Sequence, residues 1–238
     1  MAGKGVRERL SAFDWKEIER ELDTRGYSVL PTLLSPEECH ELVELWDAKG
    51  RFRSRIQMAP RRYGLGEYRY FARPLPRMVA DLRTHLYARL APVANRWSAE
   101  LGRPADYPRS LRAYTLSCHR SGQRRPTPLL LRYGRDGYNC LHQDLYGELA
   151  FPLQATAFLS RPDVDFGGGE FLLVEQRPRA QSRAEAIRPG RGDLLIFPNS
   201  HRPTQGRRGT VRTSLRHGLS RVHWGERWAL GLIFHDAR

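Results

Sequence analysis

An imidazole and a carboxylate stand two residues apart in Arg132-Tyr-Gly-Arg-Asp-Gly-Tyr-Asn-Cys-Leu-His142-Gln-Asp144. Alternation along a strand puts His142 and Asp144 on one face, where both can reach a single metal ion. Such a pair needs a third ligand, and His217 supplies it. Two histidines and one carboxylate leave other coordination positions open for reactants. Ten residues beyond His217 comes Arg227, whose planar fork suits a carboxylate. A turn at Gly225 would bring it back beside the ligand strand, with Ala229 and Gly231 leaving room on its face. His201 is the rival third ligand, but the position ten further on is Val211, and its Pro198–Pro203 setting reads as an irregular loop at the mouth of the site. Cys140 shares strand parity with His142 and reads as a small apolar filler. His223 and His235 read as surface or strand-end residues.

The elements that must hold these groups follow from patterning. Phe13 to Arg25 has helical spacing and a stop at Gly26. Tyr27 to Pro31 reads as a short strand. Ser35-Pro-Glu-Glu38 is a helix start with a hydroxyl cap, a proline in the first turn and a carboxylate three residues on. Pro76 to Leu101 is amphipathic, as one long helix or two shorter ones. After about Pro108, short apolar runs alternate with turn residues, and strands are expected at 128–133, 141–145, 152–159, 170–174, 193–197, 213–218 and 228–234. Seven strands in about 110 residues imply a sandwich or barrel with the earlier helices packed outside it. Gly167 to Gly169 lacks the context of a nucleotide loop and reads as a bend between strands.

Composition narrows the setting. Of 40 basic residues only Lys4, Lys16 and Lys49 are lysines, and the formal net charge is +14. Ten arginines against Glu185 and Asp193 fall within residues 176–216, a segment suited to nucleic acid or another acidic macromolecule, or else a solvated pair of loops. No apolar run approaches the length of a membrane span, and the start carries no secretory signal. Cys39, Cys118 and Cys140 form neither a disulfide framework nor a zinc cluster, which fits a cytoplasmic protein.

Together, H-x-D, a distant histidine and an arginine ten residues later resemble the 2-oxoglutarate, Fe(II)-dependent oxygenases. Arg132-Tyr133 to Asp144, Phe166-Gly-Gly-Gly-Glu-Phe171 and Pro189 to Phe197 resemble the prolyl 4-hydroxylase-like branch. Arg124 to Arg132 and Leu141 to Gly147 are similar to a bacterial family labelled with oxidative repair of alkylated DNA. The resemblance implies an α+β, mainly β fold: a double-stranded β-helix (jelly roll, cupin-like) with N-terminal helices packed on it. It implies one domain over 1–238, with a mainly helical layer at 1–107 and the catalytic core at 108–238. Fe(II) would be held by His142, Asp144 and His217, and 2-oxoglutarate by Arg227 and Tyr133, with O2 as reactant and L-ascorbate as reductant. Asp144 favours oxygen transfer over halogenation, which needs a small residue there. The ending Arg227-Trp-Ala-Leu-Gly-Leu-Ile-Phe234 differs from the R-x-N-x-T-x-R pattern of the DNA demethylases proper, so a protein or peptide side chain is the expected substrate. Alkylated nucleic acid is the alternative, and a non-catalytic basic binding module on the same fold is a third possibility.

Overall fold

A computed structural model describes residues 5–207 and 209–238; Lys4 and Arg208 lie outside them. The helices are α1 (Val6–Ser11), α2 (Trp15–Thr24), α3 (Pro36–Glu44), α4 (Arg77–Glu100) and α5 (Leu111–Arg120). The strands are β1 (Ser28–Leu30), β2 (Phe52–Gln57), β3 (Gly64–Leu65), β4 (Glu67–Phe71), β5 (Leu129–Tyr133), β6 (Tyr138–His142), β7 (Leu153–Phe158) and β8 (Phe166–Gly168). They continue with β9 (Phe171–Gln176), β10 (Arg183–Ile187), β11 (Leu194–Pro198), β12 (His201–Gly206), β13 (Gly209–Leu219), β14 (Val222–Gly225) and β15 (Arg227–Leu232).

Local signals explain the helix ends. Asp14 accepts from the backbone of Lys16 and Glu17, and Ser35 with Glu38 closes a full capping box at the start of α3. The region 76–101 forms one helix, α4, which runs through Pro92. It carries the largest buried stripe, including Leu82, Leu86, Leu90 and Trp97. That stripe joins one apolar core with Leu130, Ala155, Ile196, Leu230 and Phe234, so helix and sheet share their interior.

Two antiparallel sheets enclose the site. A seven-stranded sheet runs β1-β11-β7-β15-β5-β4-β2, and a second runs β10-β9-β13-β6-β3 with β12 added on β13. Several expectations need correction here. The 1–107 segment is not only helical, because β1, β2 and β4 complete the larger sheet. Conversely α5 lies beyond Pro108, capped by Ser110 and burying Leu111, Tyr114 and Cys118. The surroundings of His201 are not an irregular loop but strand β12, paired with β13 in regular register. The triple glycine is not simply a bend between strands: Gly167 and Gly168 belong to the short β8, which pairs with β14, and the backbone turns left-handed at Gly168 and Gly169. All three cysteines are free, with Cys39 and Cys118 buried and Cys140 exposed. No described helix is long and apolar enough to cross a membrane.

Candidate metal centre

The three sequence-predicted ligands converge. His142, Asp144 and His217 each offer one donor atom, all within 4.8 Å of one another. His142 and His217 are direct cross-strand partners on β6 and β13, which places their rings 4.2 Å apart. The register slips just beyond this pair, and a Cβ at Gly218 would come within 2.7 Å of the Asn139 carbonyl, so the bulge requires the glycine after the ligand. Asp144 arrives differently. The strand expected at 141–145 ends at His142, and strand alternation therefore does not place the carboxylate.

A set of side chains fixes the loop instead. Gln143 Nε2 donates to the carbonyls of Ser200 (3.0 Å) and Leu215 (2.7 Å), tying the residue between the two ligands to β13 and its neighbour. The Asp144 amide donates to Asn199 Oδ1 at 3.0 Å, and the Tyr146 hydroxyl donates to Asp144 Oδ1 at 2.6 Å. Asp144 then faces His217 Nε2 at 3.2 Å and His142 Nε2 at 3.6 Å. The His142 Nδ1–H donates to the Cys140 carbonyl at 2.8 Å, which leaves Nε2 with its lone pair toward the cluster. His217 is held by ring packing, parallel to Phe171 and against Phe197, and its buried Nδ1 has no hydrogen-bond partner among the described residues.

The electrostatics suit a cation. Burial pushes the Asp144 carboxyl up, but His217, His142 and the Tyr146 hydroxyl outweigh it and hold the group well below the usual carboxylate range. Burial, and then His142, push the His217 imidazole down, despite the opposing pull of Asp144. An ionised carboxylate beside neutral imidazole is the donor set a divalent ion needs.

The centre opens into a cavity of about 420 Å3 between the two sheets. Its floor comes from alternate residues of β5, β15 and β7, among them Tyr133, Arg227, Ala229, Gly231, Gln154 and Thr156. Arg227 does not return beside the ligand strand, as expected from the turn at Gly225. It enters the opposite sheet, paired with Tyr133 on β5, and faces the centre across the cavity. Ala229 and Gly231 line the cavity on the same strand, but a Cβ at Gly231 would meet the Leu129 side chain at 2.6 Å, so the glycine there makes room for Leu129. Arg227 is only 3% exposed, and its guanidinium carbon lies 5.2 Å from the Phe158 ring centre and 5.9 Å from those of Tyr133 and Phe166. At Gly169, in a left-handed conformation, a Cβ would sit 3.1 Å from Arg227 Cδ, so the triple glycine makes room for this side chain.

Among the described residues Arg227 has no ion pair, and its Nε has no hydrogen-bond partner. Burial pushes its guanidinium down to about 10, against the favourable pull of Tyr133 and Glu170. Arg9, Arg83 and Arg202, the other buried arginines, each hold a carboxylate. An isolated buried cation is costly, and a dicarboxylate ligand reaching from the metal centre would complete it. Tyr133 is buried and accepts a 3.2 Å hydrogen bond from Asn139.

The remaining candidates separate from the centre. His201 lines a different cavity, not the mouth of this one. Cys140 lines the metal cavity as an exposed thiol rather than a core filler. His235 is not a surface residue: it is fully buried, accepts from the Phe151 amide and sits beside Tyr146. His223 is exposed on β14. Sequence reasoning missed Tyr146, Asn199 and Gln154; the last is buried in the cavity wall with an unpartnered amide nitrogen. The arginine-rich segment is not one patch either. Arg202 and Arg177 share Glu175, Arg188 pairs with Asp163 and Arg183 with Glu185, while Arg212 stands apart beside His201.

Comparison with known proteins bears out the fold. A Pseudomonas putida prolyl-4-hydroxylase has the same fold, with a TM-score of 0.53 at 13% identity over 94% of this chain and 100% of that one. A Trichoplax adhaerens prolyl hydroxylase, solved with a hypoxia inducible factor peptide fragment, gives 0.54 at 16% identity over 97% and 90%. A Burkholderia pseudomallei oxidoreductase of the 2OG-Fe(II) oxygenase family gives 0.51 at 16% identity over 95% and 94%. Fold and site together define the class, that of the 2-oxoglutarate- and Fe(II)-dependent oxygenases. Within it the chain belongs to the Oxygenase-NA family, described as oxygenases catalysing oxidative methylation of damaged DNA, whose model matches residues 66–237. An uncharacterized protein of Mycobacterium tuberculosis (strain H37Rv) is 50% identical over 181 residues, 74% of this chain and 78% of that protein.

Proposed function

We propose that this protein is an Fe(II)- and 2-oxoglutarate-dependent dioxygenase that hydroxylates an alkyl C–H bond on a nucleic acid base. The carrying observation is the pairing of a two-histidine, one-carboxylate cluster with a buried, unpaired Arg227 across one cavity. We read the two sheets as a double-stranded β-helix, with the N-terminal helices as its outer layer within a single domain. His142, Asp144 and His217 would hold the iron, and Arg227 and Tyr133 the far carboxylate of 2-oxoglutarate. When bound, the metal and cosubstrate supply oxidation of a C–H bond by O2, with 2-oxoglutarate converted to succinate and CO2.

The protein's own work is placement. Arg227 fixes one end of the cosubstrate, aromatic walls exclude water around it, and Tyr146 and Asn199 keep Asp144 ionised and aimed. His142 keeps its proton on Nδ1 through the Cys140 carbonyl.

The family description favours an alkylated base as substrate. Exposed Arg62, Tyr63 and Leu141 line the same cavity, an aromatic and cationic set that suits a flat base and its phosphates. A peptide side chain is the second reading, motivated by the prolyl-hydroxylase-like motif from Arg132 to Asp144. Incubation with Fe(II), 2-oxoglutarate and L-ascorbate separates them. Hydroxylation of an N-methyl group releases formaldehyde, so a methylated single-stranded oligonucleotide should yield formaldehyde and the unmodified base. A 16 Da gain on lysate peptides with no formaldehyde would transfer the assignment to protein. Absence of succinate with every substrate, iron and O2 present, would leave a binding module.

A further inference from the structure

A second cavity, of about 520 Å3, lies on the other side of the loop that carries Asp144. Along that loop Asp144 and Tyr146 face the metal cavity, whereas Leu145 and Glu148 line the second one. Asn199 belongs to the partition: it lines the second cavity and accepts from the Asp144 amide at 3.0 Å. The two cavities are therefore separated by little more than one chain.

The second cavity collects cationic groups. Arg103, from the segment after α4, and Arg212, on β13, both line it, together with His201 and Ser200. Arg212 Nη2 donates to His201 Nδ1 at 3.1 Å, and the same nitrogen lies 3.0 Å from Ser200 Oγ. Neither arginine has an ion pair among the described residues. Of the carboxylates in the lining, Glu148 is bonded to Arg238 at 2.7 Å, and Asp106, which forms no ion pair among the described residues, sets one negative charge against the two guanidinium groups. Burial, and then Arg212 and Arg103, push the His201 imidazole down to about 4, so it is a neutral donor or acceptor and the two guanidinium groups carry the charge. The inner wall adds the buried Tyr114 hydroxyl, which makes no hydrogen bond within bonding distance among the described residues. Two unpaired forks, an imidazole and hydroxyls around a cavity of ligand size are the chemistry of an oxyanion site.

We propose that this second cavity binds a phosphate of the nucleic acid strand whose neighbouring nucleotide enters the metal cavity, with Arg103 and Arg212 as the phosphate clamp. This rests on the nucleic acid reading above and gives it a register. The strand crosses the Asp144 loop, with its reacting base on one side and a flanking phosphate on the other. It also accounts for Arg212 separately from the rest of the arginine-rich segment, where Arg177, Arg183, Arg188 and Arg202 are already neutralised.

The test uses the full-length protein, a labelled single-stranded oligonucleotide, adenosine monophosphate and inorganic phosphate. Arg103 and Arg212 are exposed, so the double variant Arg103→Gln/Arg212→Gln should keep the wild-type Tm and metal affinity. It should bind the oligonucleotide about tenfold more weakly, with a salt slope shallower by one to two charges. Arg103→Lys/Arg212→Lys should recover most of the affinity, because charge is retained. Arg179→Gln/Arg183→Gln, in the same arginine-rich segment, should bind as wild type. If the double variant binds and turns over the oligonucleotide as wild type does, the clamp is wrong while the nucleic acid reading stands. If wild type binds no oligonucleotide and releases no formaldehyde, the nucleic acid reading itself fails. Binding of the monophosphate or of inorganic phosphate alone, lost in the double variant, would overturn the strand assignment in favour of a free phosphate ligand.

Discussion

Arg83 and Arg227 each carry a guanidinium into the interior, at 2% and 3% exposure. Arg83, on α4, is fully used: it donates to the carbonyls of Ile233 (2.9 Å) and Phe234 (2.7 Å) and to Asp236 Oδ1 (2.9 Å). Asp236 in turn holds Arg73 and His119, at the end of the chain that follows β15. Arg227 lies at the other end of the same stretch, among aromatic rings and with no ion-paired carboxylate among the described residues. Burial lowers both guanidinium groups, but only Arg83 has a buried anion pulling it back. The first arrangement is finished without a ligand and fixes the C-terminal segment against α4. On the function proposed above, the second would be finished only when something anionic enters the cavity.

Breaking the finished cluster should have the largest effect. Asp236→Ala leaves Arg83 buried and uncompensated and should cost about 3–5 kcal/mol of stability, read from denaturant unfolding, with metal binding retained in the protein that folds. Arg227→Met should do the reverse. It removes a buried unpaired charge, so Tm should hold or rise, while 2-oxoglutarate affinity falls roughly 10- to 100-fold, as expected for the loss of charge-assisted hydrogen bonds worth about 1.5–3 kcal/mol. A large drop in Tm with unchanged 2-oxoglutarate affinity would put the two arginines in the same structural class.

The acid response sharpens the contrast. Burial pushes the Asp236 carboxyl up, but Arg83, His119 and Arg73 outweigh it, so its folded value lies below its ordinary one. A carboxylate depressed in this way contributes stability above its unfolded pKa, about 3.9, and loses it as pH falls through the folded value. Wild type should thus destabilise steeply below about pH 4, and Asp236→Asn should show a shallower slope. A smaller effect is expected at Gln154, whose unpartnered amide faces the cavity. Gln154→Leu should leave Tm and metal binding near wild type and alter the apparent KM for the primary substrate by a few-fold. No change there would make Gln154 a wall residue only.

The sequence made some of this legible and not the rest, for physical reasons. The capping box at Ser35 is local, and its geometry follows from four adjacent residues. The residues His142, Asp144, His217 and Arg227 stand out because their chemistry is rare and their spacing constrained. How they meet was not legible: Arg227 belongs to the sheet opposite His217, a matter of topology rather than of the ten-residue interval. Strand β2, Phe52-Arg-Ser-Arg-Ile-Gln57, shows little apolar alternation because most of its side chains are half-buried or exposed arginine and polar groups. Helix α5 buries Leu111, Tyr114 and Cys118 at helical spacing, yet its serine, threonine and histidine content blends with the turn-rich sequence around it. Asn199 and Tyr146 gave no signal because each matters only through a contact made in the folded chain.

The central claim is that one cavity couples a metal held by His142, Asp144 and His217 to a dicarboxylate held by Arg227. Anaerobic calorimetry of 2-oxoglutarate binding, with and without Mn(II) or Fe(II), measures this in wild type, His217→Ala and Arg227→Met. Metal-dependent binding is expected in wild type, none in His217→Ala, and metal binding retained with weakened 2-oxoglutarate affinity in Arg227→Met. Equal 2-oxoglutarate affinity in all three proteins, or the same affinity without metal, would contradict it.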